Sequence, residues 1–187
     1  MELIEAFDTA YAEWDRLVHE VGTEQWHTAT PCADWSVRDL VNHVTAEHLW
    51  APHLLGGATL AEVGDRFDGD VLGDEPVATW EAAGAASHPA FHRPGALEGE
   101  VHVTGGREAA EAYGWQMTTD LAVHGWDLGT GIARAPVLPD ELAQDLLERV
   151  RPMVGDQGIP GVFAPPVDVA ATATPQEHLL ALLGRRP

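Results

Sequence analysis

Asp120 and His124 stand four residues apart in a segment whose apolar residues recur at helical spacing. On a wheel of about 100° per residue, Tyr113, Met117, Leu121, His124 and Leu128 fall within an arc of about 80°, and Asp120 lies about 40° from His124. A carboxylate and an imidazole therefore occupy or border the face that should meet the core. A buried carboxylate without a partner costs several kcal/mol or more, so something must compensate it. An Asp/His pair at i, i+4 aims both side chains at one point, as helices do when they chelate a metal. One further histidine from a facing helix would complete two imidazoles and one carboxylate, with positions left for water or substrate. The residues alone leave a second reading open, in which Asp120 orients His124 or both groups bond to backbone.

His43 is the best third ligand. It sits about 60° from Leu40, on the flank of the second apolar stripe. Glu47, one turn later, is the candidate proton relay. A surface histidine and a solvated acid are the competing readings of these two residues. His48 lies on the packing stripe and reads as a core histidine. His88 and His92 have helical spacing, but Pro89 between them argues against a regular turn. His19, His27, His53, His102 and His178 have no evident convergent partner. Asp127 is either a partner for a ligand's free N–H or a surface acid near the helix end. Cys32 lies in a loop without a neighbouring His or Lys to lower its pKa. The pairs Gly56-Gly57 and Gly105-Gly106 lack the strand-to-helix context of a phosphate loop, and no Ser-His-Asp arrangement is plausible.

Helices must position these groups. Leu3, Phe7, Ala10, Tyr11, Trp14, Leu17, Val18 and Val21 predict a first helix that ends at Gly22. Ser36 with Asp39 resembles a capping box opening a second helix, which Pro52 ends or kinks. Residues 56–75, rich in Gly and Asp, read as a mobile connection. A third helix is expected over about 76–87, limited by Pro89, with Gly84 a weakness inside it. Residues 100–104 alternate like a short strand or extended loop. The fourth helix is expected from about Arg107 to Leu128, stopped by Gly129 and Gly131. A helix over 140–150 follows, and a last short one begins at Thr174, where Pro175 and Glu177 complete a capped start. The expected fold is all-α: a four-helix bundle over about 1–130, with long connections and a C-terminal extension over about 131–187 packed on it as one domain.

Composition excludes some partners. The chain has 187 residues, with 30 acidic against 10 basic side chains and a net charge of −20. Such a surface repels phosphate backbones and anionic headgroups, so no nucleic-acid partner is expected. No apolar run approaches the ~20 residues of a membrane span. The start, Met1 to Glu5, has no signal-peptide pattern, and the single cysteine forms no internal disulfide. A cytoplasmic protein is expected.

Two motifs carry a family resemblance. Thr30-Pro31-Cys32-Ala33-Asp34-Trp35-Ser36-Val37-Arg38-Asp39-Leu40-Val41-Asn42-His43 resembles the start of helix two in the DinB-like superfamily. The similarity is to its actinobacterial branch, related to the metal-binding domain of mycothiol-dependent maleylpyruvate isomerase. Asp120-Leu121-Ala122-Val123-His124-Gly125-Trp126-Asp127-Leu128 resembles the fourth-helix motif of that branch, and the ending from His178 to Pro187 is similar as well. The resemblance implies a DinB-like four-helix bundle whose divalent metal is held by His43, Asp120 and His124. Zinc is the first choice, with nickel or iron(II) next. It also implies a small-molecule substrate and a low-molecular-weight thiol of the mycothiol type, used in transfer or isomerisation, and it is compatible with a homodimer. A hydrolase or lyase using water, or a metal- or ligand-binding protein without turnover, would use the same residues. Two departures are visible. The isomerase has Glu where this chain has Asp120, and it carries a substantial second domain, whereas here only residues 132–187 follow the fourth helix.

Overall fold

The computed structural model describes residues 1–159 and 161–187. Helix α1 spans Leu3–His19 and buries Leu3, Phe7, Ala10, Trp14, Leu17 and Val18 along one face. Helix α2 spans Val37–Leu54. Ser36 Oγ accepts the Asp39 N–H at 3.2 Å, and the Ser36 N–H donates to Asp39 Oδ2 at 2.9 Å, which completes the expected capping box. The helix runs two residues past Pro52. The missing N–H falls in the last turn, where few ladder bonds remain to lose.

The segment 56–75 differs from the expected mobile connection. It contains the short helix α3, Leu60–Val63, capped by Thr59 and Glu62. It is also tied to α2: Asn42 donates to the Gly69 carbonyl at 2.8 Å and accepts the Val71 N–H at 2.8 Å, while Arg38 bonds both Asp70 oxygens. Leu72 and Val63 are buried. Gly and Asp here serve turns, and polar anchors on α2 replace an apolar stripe.

Helix α4 spans Pro76–Phe91 and continues through Pro89. Pro89 and Ala85 are both exposed, so the gap that Pro89 leaves in the ladder lies on the outer side of the helix. Gly84, doubtful by propensity, is required by packing: a Cβ there would stand 2.1 Å from the Tyr11 hydroxyl of α1. Strands β1, Glu100–Val103, and β2, Gly106–Ala109, form an antiparallel hairpin. Residues 107–109 are thus strand, and α5 begins later than expected, spanning Ala110–Gly131. It passes through Gly129, whose carbonyl also accepts the Arg134 N–H at 2.8 Å. Helices α6, Asp140–Val150, and α7, Pro175–Leu182, complete seven helices among the described residues.

Helices α1, α2, α4 and α5 form the bundle, with α1 against α5, α5 against α2, α2 against α4 and α4 against α1. Helix α5 is its most enclosed member, buried at most positions. Gly114 permits the close approach of α1, since a Cβ would lie 2.8 Å from Leu3 Cδ2. Buried Thr118 and Thr119 satisfy their hydroxyls on carbonyls one turn back, at 2.8 Å each. Helices α6 and α7 pack together, and Leu142, Leu146, Leu179, Leu180 and Leu183 join the same apolar cluster as the bundle residues. No described helix is long and apolar enough to cross a membrane.

Candidate metal centre

Helices α2 and α5 bring His43, Asp120 and His124 together. His43 Nε2 lies 3.4 Å from Asp120 Oδ2, and His124 Nε2 lies 3.3 Å from Asp120 Oδ1. The two imidazoles are nearly perpendicular, with centroids 5.3 Å apart. Asp120 Oδ2 is buried and has no hydrogen-bond partner. The donor atoms therefore converge at ion-pair distance, while Oδ2 accepts no hydrogen bond. Bonds of about 2.0–2.1 Å to a tetrahedral ion place its ligand atoms about 3.3 Å apart, so the observed spacing suits an ion better than a direct hydrogen bond. Both the orphaned oxygen and the N/O donor set fit a zinc-type cation.

The electrostatics follow from burial and charge. Burial opposes ionisation of Asp120, yet the adjacent His124 and His43 hold its carboxyl well below the usual range. Burial likewise pushes His124 down, but Asp120, and then Asp127, raise it to about 9. The ring is thus held by a proton that a metal would displace.

A second layer fixes His124. Its Nδ1 lies 3.0 Å from Asp127 Oδ2, and the Arg185 Nη2 donates to that same oxygen at 2.8 Å. Arg185 also reaches Asp127 Oδ1 from Nε at 3.3 Å and donates from Nη1 to the Leu183 carbonyl at 2.9 Å. Asp127 is fully buried and Arg185 nearly so. The surface-acid reading of Asp127 is therefore set aside. Arg185 gave no sequence signal of this role, because its partner is 58 positions away.

The loop before α2 supplies a wall. The Trp35 ring lies 4.9 Å from His43 and 5.8 Å from His124. Cys32, without a helpful neighbour in sequence, comes within 4.8 Å of donor atoms of His124 and Asp127. Burial and then Asp127 raise its thiol pKa, while Arg185 opposes them, which keeps the sulfur protonated. Glu47 is half-buried; burial and then Asp120 raise its carboxyl, with His43 opposing. The Tyr113 hydroxyl is buried without a partner. Its position seven residues before Asp120, on the same helix face, was the available signal.

His48 is buried, with Nδ1 2.6 Å from Ser87 Oγ and Nε2 unpartnered. His88 and His92 differ from expectation. Because α4 continues through Pro89, both imidazoles converge on Asp8 of α1.

The profile of the family described as mycothiol maleylpyruvate isomerase N-terminal domain matches residues 7–129. The chain belongs to this family. The match spans α1 to α5 and includes His43, Glu47, Asp120, His124 and Asp127; Arg185 lies outside it. An uncharacterised protein of Mycobacterium tuberculosis, in strains CDC 1551 / Oshkosh and ATCC 25618 / H37Rv, is 29% identical over 191 residues, covering 99% of this chain and 98% of the relative. The fold is similar to a crystal structure of a histidine-to-alanine mutant of mycothiol-dependent maleylpyruvate isomerase. The TM-score is 0.60 at 16% identity, over 78% of this chain and 66% of that one.

Proposed function

We propose that this protein is a divalent-metal enzyme that uses a low-molecular-weight thiol of the mycothiol type to transfer or isomerise a small molecule. The observation that carries the metal reading is the buried, unpartnered Asp120 Oδ2 beside the imidazoles of His43 and His124. Family membership supports the thiol.

His43, Asp120 and His124 hold the cation. Zinc fits this mixed N/O set first, and nickel or iron(II) next. When bound, the ion supplies the positive charge that lowers the pKa of a thiol placed beside it. Asp127 accepts the His124 Nδ1–H and fixes the tautomer that leaves the Nε2 lone pair free; Arg185 holds Asp127 in place. Trp35 gives the site an aromatic wall against which an apolar part of a small substrate can lie. Glu47 receives the thiol proton: burial and then Asp120 raise its carboxyl above the ordinary range, which favours the protonated form that results. Cys32 does not serve as the thiol, because its surroundings disfavour the thiolate.

The test is cobalt(II) substitution followed by titration with mycothiol. A saturable thiolate-to-cobalt absorption band that is absent in His124→Ala is the expected result. Stoichiometric cobalt with no thiolate band at saturating mycothiol would remove the thiol from the proposal and favour a water-using hydrolase or lyase. No bound cobalt would remove the metal.

A further inference from the structure

A second group of two imidazoles and one carboxylate lies between α1 and α4. His88 stands in the last turn of α4, His92 caps the C-terminus of that helix four residues later, and Asp8 faces them from α1. Their Nε2 atoms lie 2.9 and 2.8 Å from the same oxygen, Asp8 Oδ1. The two rings are 4.5 Å apart and inclined by 31°. The side chains are open to solvent, at 35% for each histidine and 42% for Asp8. The His88 ring rests against Tyr11 at 4.8 Å and Phe7 at 5.9 Å, which limits its rotamers.

We propose that Asp8, His88 and His92 form a second divalent-cation site, separate from the His43 centre, that ties α1 to α4 when occupied by a zinc-type ion. Helical i, i+4 spacing aims both imidazoles at one point, and the carboxylate meets them from the neighbouring helix. One donor atom from each residue lies within 4.8 Å of the others. Without a cation, both rings must place their N–H at Nε2 and share a single oxygen. The present 2.9 and 2.8 Å are hydrogen-bond distances; a cation would take both Nε2 lone pairs and the carboxylate charge together once these exposed side chains open by about 0.5 Å to the spacing of ligands on a tetrahedral ion. Packing against Tyr11 and Phe7 lowers the ordering cost of His88. Solvent exposure lets an ion enter without opening the core, and the net charge of −20 favours cation approach. Ligands on two helices make binding stabilising, because the unfolded chain does not hold the set together.

The experiment is a zinc titration of the chelator-stripped full chain, read as ions retained per chain and as the zinc-induced rise in Tm. Wild type should retain two ions, His92→Ala one, His124→Ala one, and the double variant none. The Tm rise should shrink in His92→Ala. His92→Gln serves as a gentler variant, and circular dichroism checks that each protein is folded. Equal zinc content in wild type and both folded His92 variants overturns the proposal, as does a wild-type protein whose single ion disappears in His124→Ala. A single ion lost in His92→Ala but kept in His124→Ala supports this site and removes the metal from the α2–α5 centre instead.

Discussion

The α2–α5 centre and the α1–α4 cluster have the same residue types in different surroundings. At α1–α4 the imidazoles approach one carboxylate oxygen at 2.8–2.9 Å, and water reaches all three side chains. At α2–α5 the contacts are 3.3–3.4 Å, one carboxylate oxygen is buried without a bond, and His124 is braced by the buried Asp127–Arg185 pair. Exposed groups have water as an alternative partner, so the cost of lacking an ion there is small. At α2–α5, His43 and Asp120 keep partial exposure, at 31% and 25%, but Asp120 Oδ2 and the His124 ring are shielded from water, and Asp127 with Arg185 fixes that ring's orientation. Residue type therefore nominates a ligand set, while burial and bracing separate a site suited to chemistry from one suited to tethering.

The largest effect should come from His124→Ala. It should remove the α2–α5 metal and all thiol binding while leaving helical content intact, because the apolar faces of the bundle are untouched. Metal analysis, the cobalt–thiolate band and circular dichroism together check this. A thiol band that survived in this variant would erase the contrast between the centres.

Arg185→Met addresses the second layer. It leaves the fully buried Asp127 with His124 as its remaining side-chain partner. Breaking a buried pair costs about 3–5 kcal/mol. Loss of such a brace weakens metal affinity about 10–100-fold. Denaturant unfolding and a competitive zinc titration measure the two. A change in stability with unchanged affinity would make Arg185 a purely structural residue.

His48 sharpens the comparison by pH. Burial lowers its pKa from 6.5 to about 3, with His88 contributing in the same direction and Asp120 opposing. The folded state therefore keeps His48 neutral where the unfolded chain takes a proton. Its contribution is fully present above about pH 6.5 and is lost as pH falls toward 3, at up to about 1.4 kcal/mol per pH unit. Unfolding curves between pH 6 and 4 should be correspondingly flatter for His48→Met than for wild type. Parallel curves would show that the buried imidazole does not govern this window.

The smallest effect belongs to the exposed cluster without metal. There His92→Ala should cost no more than about 1 kcal/mol, as exposed charged pairs do. A larger loss in chelator would show that the hydrogen bonds to Asp8 already act as the tether.

The helices with regular apolar spacing were legible, as were their chemical caps: Ser36 with Asp39, and Thr174 with Glu177, stand where local rules place them. Proline and glycine misled at Pro89 and Gly129, which read as stops, and in part at Pro52, which reads as an end or a kink. A late turn, an exposed helix side and local packing make them tolerable. The segment 56–75 misled for the opposite reason, since its order comes from Asn42 and Arg38 on another helix.

By itself the sequence determined the all-α character and placed Asp120 and His124 on one inward face, since helical periodicity is a local property. It could nominate His43 from its stripe without measuring its distance to Asp120. Tertiary structure alone decided that His43 meets Asp120, that Oδ2 is left without a partner, that Arg185 closes on Asp127, and that His88 and His92 share Asp8. These outcomes depend on which helices touch and at what rotation, and that is set by the packing of the whole core rather than by any short stretch of chain.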